Sequence, residues 1–173
     1  GIAIDGNDCA YVVDSLNHRV QKLTIMGEFL AEWGGHGQTE GLFDSPWGIT
    51  VDDQGNVYVA DTVNRRVQVF SSDGTFLRKW GSRGDGDGQF HRPSAVAVDA
   101  EGHIYVADWG NERVQVLGPD GSFQLTLRGQ ATVSLWARQF LDANPDVDLL
   151  VCSGTKQMGH MRWDVWLPPG VGY

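Results

Sequence analysis

Cysteine is nearly absent. Cys9 and Cys152 are the only two in 173 residues, too few for a disulfide framework or a four-thiolate metal site, and they do not indicate a compartment. Positive charge is in the minority as well. Against 22 Asp and Glu stand 13 Lys and Arg, a net charge of −9, which repels phosphate backbones unless the basic groups are gathered on one surface. That balance argues against a nucleic-acid partner. No apolar run approaches the roughly 18 residues of a membrane span, and 41% hydrophobic with 20% charged residues is the composition of a folded chain rather than a disordered one. The five histidines, at 18, 36, 91, 103 and 160, show neither His-x-x-x-His nor Cys-x-x-Cys spacing, so the sequence supports no metal site and no cofactor. An initiator Met and a signal peptide are missing too, since residue 1 is Gly. The expectation is a segment cut from something longer, with localisation encoded elsewhere.

What the sequence does have is a repeat. Asp14, Asp61 and Asp108 are spaced 47 and 47 apart, and an offset of 47 aligns many further positions. Ile4, Val51 and Val98 coincide, as do Asp5, Asp52 and Asp99, and Tyr11, Tyr58 and Tyr105. So do Asn17, Asn64 and Asn111; Arg19, Arg66 and Arg113; Gln21, Gln68 and Gln115; and Gly27, Gly74 and Gly121. Two-copy matches add Trp33 with Trp80, Phe43 with Phe90, and Pro46 with Pro93. A period of this length indicates solenoids or propellers.

Inside each unit the apolar residues alternate over short runs separated by turn chemistry. Ile49-Thr50-Val51, Val57-Tyr58-Val59, Val67-Gln68-Val69-Phe70 and Phe76-Leu77-Arg78-Lys79-Trp80 read as four strands. Asp52-Asp53-Gln54-Gly55 and Ser72-Asp73-Gly74-Thr75 supply the Asp and Gly that tight hairpins need. Tandem four-stranded antiparallel units of this length are blades of a β-propeller, so the predicted fold class is all-β, a partial β-propeller of about three blades.

The run Pro-x-Gly-Ile-x-Val-Asp-x-x-Gly-Asn-Val-Tyr-Val-Ala-Asp-x-x-Asn-x-Arg-Val-Gln-Val-Phe, from Pro46 to Phe70, resembles the NHL repeat, and the resemblance extends from residue 1 to about residue 129. WD repeats fit worse, because their Gly-His start is lacking and Trp109 follows Asp108 in the wrong order. The resemblance implies a ring of usually six blades. Three copies do not close such a ring, which adds to the expectation of a fragment.

The predicted organisation is a first blade over 1–47, a second over 48–94 and a third over 95–129. An irregular insertion follows over 130–167, with a short helix from Ser134 to Asn144, and residues 168–173 begin a further blade. The helix is read from Ser134 as N-cap, a stripe of Leu135, Trp136, Gln139 and Phe140, and the Asn144-Pro145 stop. Pro168-Pro169-Gly170-Val171 echoes Pro46-Trp47-Gly48-Ile49. Val151 to Trp166 fits no pattern.

In a meander, the loops after strands one and three share one face and those after strands two and four the other. The first face carries Asp5, Asp52, Asp73, Asp99 and Asp120 among its turns; the second, mixed in charge, collects His18, Arg65, Arg83, His91 and Arg92 beside Asp85, Asp87 and Glu40, together with Trp47 and Trp109. Trp and Arg are enriched in binding hot spots. Trp47, Trp109, His91, Arg92, His18 and Arg65 are therefore the candidate binding residues, set against packing of the two Trp between neighbouring loops. The thrice-repeated Asp-x-x-Asn-x-Arg (Asp14, Asn17, Arg19; Asp61, Asn64, Arg66; Asp108, Asn111, Arg113) reads as structural. A catalytic site occurs once, whereas a turn that closes every blade recurs. Arg83-Gly84-Asp85-Gly86-Asp87-Gly88 offers two carboxylates, short of a Ca²⁺ loop, and reads as a flexible inter-blade linker.

The predicted function is a binding scaffold for a protein or peptide, with no catalytic residue in this segment. Two alternatives come from the resemblance. Related propellers include lactonase-like hydrolases and a peptide-amidating lyase, whose metal ligands would here lie in absent blades, since the innermost strands Ile2-Ala3-Ile4, Ile49-Thr50-Val51 and Val96-Ala97-Val98 offer no His, Glu or Cys. Others bind single-stranded RNA on a basic face, which the net charge of −9 disfavours.

Overall fold

The structure, a computed structural model, describes residues 1–128. The helix expected at 134–144, the insertion and the further blade fall outside the described residues.

The described chain forms three four-stranded antiparallel sheets, each a simple meander. The first holds β1 (Ile2–Ile4), β2 (Cys9–Asp14), β3 (Arg19–Thr24) and β4 (Phe29–Gly34). The second holds β5 (Pro46–Val51), β6 (Val57–Asp61), β7 (Arg66–Phe70) and β8 (Phe76–Trp80). The third holds β9 (Pro93–Val98), β10 (Ile104–Asp108), β11 (Arg113–Leu117) and β12 (Phe123–Arg128). These are three blades of a β-propeller, with first strands β1, β5 and β9 in neighbouring positions along the row.

The hairpins follow from a side-chain device used three times. Asp5, Asp52 and Asp99 each accept backbone N–H groups two and four residues on, so the carboxylate pins the β1–β2, β5–β6 and β9–β10 turns. The same carboxylates accept the hydroxyl of Tyr11, Tyr58 and Tyr105, each at 3.0 Å.

The apolar core lies between blades rather than within one. Tyr11, Val13 and Val20 of blade one meet Phe43, Ile49, Val57, Val59 and Phe70. Tyr58, Ala60, Val67 and Val69 of blade two meet Phe90, Val96, Ile104, Val106 and Leu117. Sandwiching has a measurable result in blade two: every residue of β6 and of β7 is buried. In blade one, β2 and β3 stay only partly covered.

Close approach of the first strands dictates one small residue. A Cβ on Gly48 would stand 2.6 Å from Ala95 Cα and 2.8 Å from the Ser94 carbonyl, closer than real Cβ contacts come, so backbone β5 lies directly against backbone β9. Trp33 and Trp80, on the last strands, reach the hairpin of the next blade. Trp33 lies over Gly74 and Trp80 over Gly121, and Trp80 Nε1 donates to the Asp120 carbonyl at 3.1 Å.

Candidate functional site

The Asp-x-x-Asn-x-Arg turns are clasps for the linkers between blades. Arg66 Nε donates to Asp61 Oδ2 at 2.7 Å, while its two terminal nitrogens donate to the carbonyls of Gln38, Thr39 and Leu42 at 2.7–2.9 Å. Asn64 bridges Asp61 and the Gly37 carbonyl. Gln68 completes the grip, accepting from Gly41 N–H and donating to the Leu42 carbonyl. One blade further on, Arg113 binds the carbonyls of Asp85, Gly86 and Gln89, Asn111 that of Gly84, and Gln115 both Gly88 N–H and the Gln89 carbonyl. The segment read as a flexible linker, Arg83 to Gly88, is thus tied at most of its peptide groups; buried backbone polar groups away from strands need such partners.

Burial pushes the Asp61 carboxyl above its ordinary value, and donors from Asp44 N–H, Asn64 and Arg66 pull it back only in part. In blade one the same motif is open. Asp14 bonds Asn17 and Arg19, and the far end of Arg19 turns to Glu32 at 2.7 Å.

On that same face, between blades two and three, a depression of about 310 Å³ is lined by Ser45, Trp47, Thr62, Val63, Arg65, His91, Arg92, Ser94 and Trp109. Five of the six residues singled out from sequence are here together. Trp47 is 56% exposed and Trp109 54% exposed, so neither indole is spent on packing between loops. Arg92 lies over the Trp109 ring, its guanidinium carbon 5.4 Å from the centroid, a cation–π arrangement. The backbone beneath is rigid: His91 and Arg92 N–H both donate to Asp108 Oδ1 (3.0 and 2.9 Å), and Trp109 N–H donates to the Arg92 carbonyl at 3.0 Å. Arg65 and Ser45 hold left-handed backbone conformations, φ 57° and 50°, uncommon for residues with a side chain. Arg65 Nη1 bonds the Val63 carbonyl, while its buried Nε has no partner among the described residues. Among the described residues, no carboxylate lines the depression.

Two expectations are corrected. Trp47 stands on strand β5, not in a loop; it reaches the face because it is only the second residue of that strand. His18 does not line the depression. It sits behind Ser45, whose N–H donates to His18 Nδ1 at 3.0 Å, and against His36 and Asp44. Sequence reasoning gave Gln68 and Gln115 no role, although their strict register with Gln21 was the available signal. It also missed Ser45, Thr62 and Ser94, short polar residues that carry no pattern.

The NHL repeat family model matches residues 43–70 and 90–117. No curated protein sequence matches. Among solved structures, a streptogramin B lyase is similar at 14% identity and a TM-score of 0.59, covering 76% of this chain and 40% of that one. A catalytically inactive virginiamycin B lyase from Staphylococcus aureus, with quinupristin, is similar at 13% identity and a TM-score of 0.58, covering 77% and 41%. Kuenenia stuttgartiensis hydrazine synthase follows at 15% identity and a TM-score of 0.58, covering 74% and 35%. The chain therefore spans about 40% of the length of the structures it resembles, and the likeness is one of fold.

Proposed function

Since this chain carries NHL repeats at 43–70 and 90–117 within three β-propeller blades, we propose that its blades serve as a protein- or peptide-binding platform, engaged through the depression at Trp47, Trp109, Arg65, His91 and Arg92. The observation that carries this reading is the convergence of two half-exposed indoles and two guanidinium groups in a depression whose described lining includes no carboxylate, over backbone held by the buried Asp108. Aromatic and Arg anchors in one concave spot are the usual content of a hot spot. The cationic lining within an acidic chain selects a partner segment bearing carboxylates next to an aromatic or apolar side chain. Phosphate-backbone binding would require a broad basic surface, and the depression is a local exception on a chain of charge −9.

The structural neighbours include lyases. The enzyme reading has less support here, because β1, β5 and β9 hold no His, Glu or Cys to act as acid, base or ligand near the propeller axis.

The test is capture of partners by the intact protein, compared with the double variant Trp47→Ala/Trp109→Ala. Loss of both anchors is expected to weaken binding by at least ~2 kcal/mol, roughly 30-fold. Unchanged capture by a variant with native circular dichroism would refute the assignment.

A further inference from the structure

The 47-residue repeat brings three backbone positions together at each junction of blades. They are the left-handed residue of the turn after the second strand, the third residue after the Trp of the last strand, and the residue after the buried linker Phe. At the junction of blades two and three these positions hold Arg65, Arg83 and His91. At the junction of blades one and two they hold His18, His36 and Asp44.

In the latter set the side chains converge. The imidazole rings of His18 and His36 lie 4.5 Å apart between centroids. His18 Nδ1 is 3.8 Å from Asp44 Oδ1, and His36 Nε2 is 3.8 Å from Asp44 Oδ2. One ligand atom from each of the three residues falls within 4.8 Å of the others. The linker geometry that makes this possible is the one already described: Asp44 N–H is held by Asp61 Oδ1 at 2.8 Å, and Phe43 is buried beneath.

We propose that His18, His36 and Asp44 form a binding site for a divalent transition-metal cation of the Zn²⁺ class. Two imidazoles and one carboxylate suit a borderline cation and not Ca²⁺ or Mg²⁺, which take oxygen donors. Bonds of about 2.0–2.2 Å to N and O set neighbouring ligand atoms roughly 3–3.5 Å apart, so from separations of up to 4.8 Å the three groups need to close by as much as about 1–2 Å. His36 has the freedom to do so, with 70% of its side chain exposed. His18 is held in place by Ser45 N–H, and ligation gives up that bond or shifts its tautomer. Affinity is therefore expected in the micromolar range. Three protein ligands leave further positions to water, the open form of such sites. The His-His-Asp combination occurs once in the repeat, unlike the clasp residues, which recur because every linker needs them.

The test uses Zn²⁺ in calorimetric titration of the intact protein and Co²⁺ as a visible-absorption reporter of nitrogen ligation. One ion per chain is expected at this site. His36→Ala should weaken binding by roughly 10-fold or more and bleach the Co²⁺ band, with the unfolding midpoint of the metal-free protein unchanged. His18→Asn, which keeps an acceptor for Ser45 and tolerates the left-handed backbone, should do the same. His103→Ala, at the separate Asp99–Glu101–His103 group, should leave binding intact. Absence of stoichiometric binding, or binding indifferent to both His36→Ala and His18→Asn, would overturn the proposal.

Discussion

Replacing Arg66 with alanine should cost far more stability than the same change at Arg19, although the two arginines occupy equivalent positions in the repeat. The Arg66 side chain is 7% exposed, faces a fully buried Asp61, and donates to three linker carbonyls besides. Removing it strands a buried carboxylate and leaves linker carbonyls with fewer donors, and breaking a buried pair from one side costs about 3–5 kcal/mol. Arg19 is 34% exposed and pairs with the partly exposed Asp14 and Glu32, a situation worth about 0–1 kcal/mol. Urea unfolding followed by tryptophan fluorescence measures both, since Trp33 and Trp80 sit at the blade contacts. The sign of a pH effect follows as well. Burial already raises the Asp61 carboxyl, and without Arg66 it rises further, so the folded variant takes up a proton as pH falls. The stability gap between Arg66→Ala and the parent protein should therefore narrow toward acid pH. Arg66→Lys keeps the charge but loses the fork, and should fall between the two. If Arg66→Ala and Arg19→Ala differ by less than about 1 kcal/mol, the clasp contributes no more than a surface ion pair and the reasoning fails.

Gly48→Ala should destabilise by about 1–3 kcal/mol, because a methyl group there meets the backbone of β9; an unchanged urea midpoint would show that the first strands yield without cost. Gly74→Ala should be worse than Gly27→Ala in the same assay. Both carry positive φ, but only Gly74 lies beneath a tryptophan, with a Cβ position 2.7 Å from the Trp33 ring, while Gly27 faces open space. Acid should unfold the protein through its turn carboxylates. Asp73 is pulled down to about 2 by the Ser71 hydroxyl and then Thr75 N–H. Asp14 is lowered by Asn17 and then Arg19, and Asp120 by the Ser122 hydroxyl. A carboxyl whose folded value lies below its unfolded one adds stability above the unfolded value and loses it as pH falls. The melting temperature should accordingly drop between about pH 5 and pH 2, and a flat profile there would count against these turns as contributors.

Much of this was readable from residue spacing because a repeat prints its local solutions several times. The Asp-Tyr hairpin lock and the strand boundaries recur at fixed offsets, and their contacts lie within six residues of each other. Charge and aromatic content grouped Trp47, Trp109, Arg65, His91 and Arg92 on one loop face, and they line one depression, since the meander places alternate loops on the same side. Other features involve partners 24 to 40 residues away, such as Arg66 with Leu42 and Trp80 with Asp120. There the sequence contains the residue but not its target. Asp-x-x-Asn-x-Arg was legible as a turn, yet its grip on the linker was not.

The histidines make the division plain. By spacing along the chain, His18 and His36 are unrelated, and His18 was grouped with the candidate binding residues of its face. Only the fold, by laying each linker back across the turn of the preceding blade, sets them beside Asp44 and apart from the indoles. The sequence alone determined the period, the four strands per blade and the chemistry of the turns, because these depend on neighbours in the chain. Tertiary structure decided which faces were buried on both sides, what each arginine holds, and which side chains share a pocket, because those depend on how one blade meets the next.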